Sequence, residues 1–133
     1  MAGFGPVGGG SSPAFWRDTL GIPFTDDDGY LHTDDLPGVK AFAMWPLEQA
    51  AQATFGTAEW PGDRPVPQAW VEFDVASAAA VADAVEELRA SGHEILVGAH
   101  EEPWGQTTSR LLSPEGLLVG VTYTPWMHET AST

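Results

Sequence analysis

Between Trp70 and Val75 apolar and polar side chains alternate: Val71, Phe73 and Val75 fall on one side, Trp70, Glu72 and Asp74 on the other. That period of two predicts a strand. The period changes at Ser77. Ala78, Val81, Val85 and Leu88 then recur at three- and four-residue steps, which predicts a helix over Ser77–Ser91 with one face toward a sheet. Ser77 suits the N-cap, Arg89 the last turn and Gly92 a left-handed closing position. Extended segments follow at Glu94–Val97, Thr107–Leu112 and Leu117–Tyr123, the last two joined by a turn at Ser113-Pro114-Glu115-Gly116. Strand, helix and three strands make a curved four-stranded sheet backed by a helix, which is half of a cup. If Val71, Phe73 and Val75 pack on the helix, Trp70 and Glu72 face the cavity; the alternative is an ordinary half-exposed strand.

The first half repeats this order in weaker form. Ser11-Ser12-Pro13 reads as a cap with proline in the first turn of a short helix, which carries Phe15, Trp16 and Leu20 on one face and ends at Gly21. Strands are predicted at Ile22–Thr25, Tyr30–Thr33 and Val39–Trp45, separated by Asp26-Asp27-Asp28-Gly29 and Asp34-Asp35-Leu36-Pro37-Gly38. A short helix fits Leu47–Phe55, and Trp60–Pro67 reads as a proline-rich linker. The expected class is α+β: a degenerate module over 13–67 and a second over 68–124, within one domain, followed by a tail over 125–133. The first module lacks a readable opening strand, since residues 1–10 hold five glycines and a proline. Either residues 1–12 form a mobile arm or an adjacent subunit supplies the edge, and a homodimer is expected on that ground.

Composition narrows the partners. Nineteen acidic side chains against five basic ones give a formal charge of -14, which disfavours nucleic acid and would attract a cationic ligand, although solubility or a salty cytoplasm explains the charge more simply. No apolar run is long enough to span a membrane, and the glycine-rich start is not a secretory signal. Zero cysteines exclude disulfides and thiolate chemistry, consistent with a cytoplasmic location. Of six tryptophans, Trp45, Trp70 and Trp104 fall where a ligand could stack.

Four motifs, in order, carry a resemblance: Phe15-Trp16-Arg17-Asp18-Thr19-Leu20-Gly21, Glu72-Phe73-Asp74-Val75, Glu102-Pro103-Trp104-Gly105 and Ser113-Pro114-Glu115-Gly116-Leu117. Over about residues 13 to 123 the chain resembles the vicinal oxygen chelate superfamily, which includes glyoxalase I, extradiol dioxygenases and bleomycin-resistance proteins. The resemblance implies paired βαβββ modules forming a cup, usually in dimers. Metal-dependent members hold a divalent ion through one residue from the opening and one from the closing strand of each module. Carried over, those positions fall on Trp70 (or Gln68 if the register slips), on Gly120, and on Met44 or Trp45 with Glu48 slightly beyond. None offers the expected ligand, so no metal and no cofactor is expected.

Other polar groups are weaker candidates. His100-Glu101-Glu102 reads as a solvated loop, His32 with Asp34 and Asp35 as a turn-rich segment, His93 as surface, and His128 as part of a tail that packs an aromatic on the sheet. Arg110 shares a strand face with Gln106, Thr108 and Leu112. If that face lines the cavity, Arg110 could pair with Glu72 across the cup. The favoured reading is a small-molecule-binding protein that sequesters an aromatic or cationic compound through Trp45, Gln68, Trp70, Glu72, Trp104 and Arg110. The alternatives are a lyase or isomerase of the glyoxalase type, through a rearranged metal site of His100 with Glu72 or Glu102 or through metal-free acid–base work by Glu72, and a dimer with no ligand.

Overall fold

The computed structural model describes residues 3–8, 12–36 and 41–128. The alternating segment forms β5 (Ala69–Asp74), and the helix after it is α2 (Ala78–Ala90). Ser77 caps α2, its side chain accepting from the Ala80 N–H, and Val81 and Val85 are the residues it buries. β6 (Val97–Glu101), β7 (Thr107–Leu112) and β8 (Leu118–Tyr123) complete the second module. β6 lies later than the predicted Glu94–Val97, so His100 and Glu101 are strand residues rather than a solvated loop.

The first module has the same order. Its opening strand is β1 (Gly3–Gly8), placed where the glycine content predicted only an arm. A short π-helix (Ala14–Thr19) comes next, with Trp16 packed 5.7 Å from the Phe42 ring, whereas Phe15 and Leu20 stay exposed. β2 (Thr25–Asp27) and β3 (Tyr30–Thr33) form a hairpin, and β4 (Phe42–Pro46) follows. The hairpin turn runs through Asp28 and Gly29, at φ 54° and 89°. Such a turn takes two aspartates, Asp26 and Asp27, into the strand that was predicted at Ile22–Thr25. The beginning of the predicted Val39–Trp45 strand and the tail beyond His128 lie outside the described residues. α1 (Leu47–Phe55) joins the modules and ends at Gly56, φ 79°.

All eight strands form one sheet in the order β2-β3-β4-β1-β5-β8-β7-β6. In each module the opening strand pairs parallel with the closing one, β1 with β4 and β5 with β8, and the modules meet antiparallel along β1·β5. The central place of β1 fills the edge whose absence motivated the dimer. α2 packs on β6, β7 and β8. It does not reach the outer side of β5, so Phe73 remains half exposed instead of packing under the helix. Among the described residues no helix is long and apolar enough to cross a membrane.

Candidate functional site

Strand register determines where the cup is open. His32 pairs with Ala43, and Gly5 pairs with Trp70, with Gly5 so close to β4 that a Cβ there would lie 1.7 Å from the Ala43 carbonyl oxygen. His32, Ala43, Gly5 and Trp70 thus form one inward row across four strands, large at both ends and small in the middle. The neighbouring row runs from Glu72 to Gly120 to Arg110. The small residues of β4 and β1 form a floor, β3 one wall and β5 the other. α1 covers the end of the cup near Trp45, where Ala50 joins Trp45, Trp70 and Leu118 in the buried cluster.

The resulting cavity has a volume of about 930 Å³. On one side it is lined by Asp27, Asp28, Tyr30, His32, Asp34 and Asp35. Trp45, Trp70 and Glu72 line the interior, and Trp104, Gln106, Trp126 and Met127 stand opposite the acidic side. Tyr30 and His32 stack at 5.3 Å, and Trp45 meets Trp70 at 5.4 Å with the rings tilted by 57°. Trp104 and Trp126 are each half exposed. Trp104 Nε1 donates to Gln106 Oε1 at 2.7 Å, and Gln106 Nε2 donates to Thr124 Oγ1 at 2.7 Å. This chain ties the β6–β7 turn to the short 3-10 helix Pro125–Met127.

Glu72 occupies space that Gly120 leaves free: a Cβ on Gly120 would sit 3.1 Å from Glu72 Cγ. Burial pushes the Glu72 carboxyl above its ordinary range, and nearby Arg110 and the side chains of Trp70 and Gln106 offset that only in part. Trp70 Nε1, although close to Glu72, is buried without a hydrogen-bond partner of regular geometry. Burial, then the charges of Glu72 and Asp27, also raise the Tyr30 phenol above its ordinary range.

Arg110 does face inward, but its ion-pair partner is Glu102 rather than Glu72. Arg110 Nη1 lies 2.9 Å from Glu102 Oε1 and donates to the Ala53 carbonyl of α1 at 3.2 Å, with the guanidinium 5.1 Å from the Trp45 ring centre. The same Glu102 oxygen accepts from Thr108 Oγ1 at 2.7 Å and lies 2.9 Å from His100 Nε2. Arg110 and Glu102 are 2% and 4% exposed, so this network is structural filling of the second module. Breaking such a pair leaves an uncompensated buried charge. Glu102→Gln is therefore expected to cost about 3 kcal/mol of stability, to be measured by denaturant unfolding.

The structure thus gathers Trp45, Trp70, Glu72 and Trp104 around the cavity, with Arg110 beneath it behind Trp45. Gln68 is exposed and does not line the cavity; its carbonyl accepts the Val7 N–H. Tyr30, His32 and Gln106 were missed as lining residues, although each falls on a strand, or beside one, that the pattern predicted. Period two assigns them to one face without saying which face is inward. Trp126 and Met127 line the cavity from the 3-10 helix, and His128, expected in a packing tail, pairs with Asp74 and packs against Tyr123, the ring centres 5.1 Å apart and tilted by 40°. Met44 points away from the cavity into the packing on the other sheet face, its strand partner being Leu31.

At the positions where the resemblance would place a metal, Trp70 and Gly120 bring no ligand, and Gly5 in the opening strand has no room for one. Among the described residues no group of three His, Cys, Asp or Glu side chains could hold a metal ion. The residues present do not fit that group.

No protein-family model matches the sequence, and no curated protein does. Solved structures do match in fold. A glyoxalase/bleomycin resistance protein/dioxygenase superfamily member from Vibrio splendidus superposes with a TM-score of 0.58 at 15% identity, covering 91% of this chain and 96% of that one. The NAD-dependent benzaldehyde dehydrogenase from Legionella pneumophila gives 0.60 at 12% identity, covering 90% and 97%. A glyoxalase/bleomycin resistance protein/dioxygenase from Nocardioides is 22% identical over 100% of this chain and 88% of that one, with a TM-score of 0.43.

Proposed function

For a chain with the fold of the glyoxalase/bleomycin resistance/dioxygenase superfamily, we propose binding of a small aromatic cation in the cavity, without a metal at the family positions. One observation carries the reading: aromatic rings and carboxylates line the same cavity, and among its described lining residues there is no lysine or arginine. Indole faces attract planar rings and cations alike. Glu72, whose nearest strong cation is already paired with Glu102, would gain a direct partner from a ligand ammonium.

The raised Glu72 carboxyl also suits a general base. The surrounding charge argues against that role for reactions that build an oxyanion. Asp27, Asp28, Asp34 and Asp35 would oppose developing negative charge, and Arg110 is engaged elsewhere. Capture of a cation uses the same field favourably.

The test uses ethidium, a planar phenanthridinium monocation, titrated into the protein with tryptophan fluorescence as readout. Saturable quenching is expected. Trp104→Ala removes a half-exposed ring at the mouth and should weaken ethidium severalfold with little change in melting temperature. Unchanged affinity in that variant would remove Trp104 from the site, and no saturable binding to the unaltered protein would remove the proposal.

A further inference from the structure

Resting on that reading, we infer that Asp74 and His128 are positioning residues of the binding site. Together they clamp the segment Thr124–His128, so that Trp126 stands at the cavity mouth as a second indole face beside Trp104. Asp74 ends β5 on the same side of the strand as Trp70 and Glu72, but it does not line the cavity. Its two carboxylate oxygens take the two ends of one short stretch of chain. Oδ1 accepts the Thr124 N–H at 2.7 Å, and Oδ2 accepts from His128 Nε2 at 2.5 Å. Between those points lies the 3-10 helix Pro125–Met127, whose Trp126 and Met127 line the cavity.

Packing does not hold this helix. None of its three residues is buried, and the Met127 and His128 amides donate to the Thr124 and Pro125 carbonyls, within the segment itself. What fixes it is at its ends. Thr124 is fully buried, held by Asp74 through its amide and by Gln106 Nε2 through its hydroxyl. His128 closes the other end on Asp74 and against the Tyr123 ring. With both ends fixed, Trp126 is half exposed and still has a set position. A Cβ on Gly105 would lie 4.0 Å from its Cζ3, so the indole sits beside the β6–β7 turn that carries Trp104. Fixing a large exposed ring before binding removes an ordering cost from the binding step.

A clamp and a mere charge on Asp74 differ in sign at His128. Removing His128 takes no negative charge from the protein, so attraction of a cation by Asp74 alone predicts unchanged or tighter ethidium binding in His128→Ala. The clamp predicts weaker binding, by about fivefold, the worth of one stacking contact. Asp74→Ala should weaken ethidium at least as much. In a Trp126→Ala background, itself weakened by a similar factor, His128→Ala should cost nothing further, because the clamp acts only through that ring. His128 is exposed, so this cycle decides the matter even if Asp74→Ala does not fold. Ethidium bound by His128→Ala as tightly as by the unaltered protein, or effects of His128→Ala and Trp126→Ala that multiply, overturns the clamp while the aromatic-cation reading stands. No saturable ethidium binding to the unaltered protein overturns both.

Discussion

Gly5→Ala is expected to prevent the chain from reaching its native fold, with loss of near-ultraviolet dichroism and of a cooperative thermal transition. The added Cβ would lie 1.7 Å from the Ala43 oxygen, 2.8 Å from the Ala43 carbonyl carbon and 3.1 Å from Trp70 Cζ3. Two of those atoms belong to the backbone of the neighbouring strand, so no rotamer change relieves the clash. Only separation of β1 from β4 would, and β1 is also the strand that joins the modules through β5. A cost above about 4 kcal/mol is expected, in the range reserved for severe core disruption. Gly8→Ala is the matched control. Nothing lies within 4 Å of a Cβ there, and removing a strand glycine should leave stability unchanged or raise it by about 0.5 kcal/mol. If Gly5→Ala melts like the unaltered protein, the close approach of β1 and β4 is wrong.

Glu72→Gln should stabilise the protein at neutral pH while removing most of its affinity for aromatic cations. The Glu72 carboxyl titrates above its ordinary value of 4.5 because burial penalises its charge. The folded state thus holds this proton more tightly than the unfolded chain. Its contribution to stability is complete below about pH 4.5 and is lost as the pH rises through the folded value. Glutamine keeps the neutral form at every pH, so the melting-temperature advantage of the variant should widen from pH 5 to pH 8. Ethidium binding should fall roughly 30-fold or more, since a desolvated charge partner is worth about 2 kcal/mol or above. In the unaltered protein the affinity should also fall as acid protonates Glu72. A variant that binds as tightly as the original would displace Glu72 from the ligand's charge.

The second module was legible because packing requirements there coincide with ordinary propensity. Val81 and Val85 fill a helix face, Ser77 caps it, and β-branched residues alternate in β8. The central strand was not legible, because its requirements oppose propensity. Gly5 is needed where Trp70 and the Ala43 carbonyl leave no room, so the residues that make β1 possible are those that argue against a strand. Likewise Glu102 reads as a loop acid beside Pro103, and only the fold brings Arg110 and Thr108 to its carboxylate. The cavity walls could be read in part. Alternation put Trp70 and Glu72 on one face of β5, but which face is inward, there as for Tyr30, His32 and Asp34 on β3, depends on which side of the sheet meets the packing that includes Met44.

The placement of β1 also bears on how the chain folds. Phe4 must find Phe42 and Val71, partners that are remote in sequence, before the sheet has a middle. Such distant pairing makes for slow folding. During synthesis β1 leaves the ribosome well before either partner, and a strand waiting unpaired is an invitation to wrong associations. Its glycines and proline have little tendency to pair prematurely. The segment least able to form a strand by itself is thus suited to be the last one zipped in.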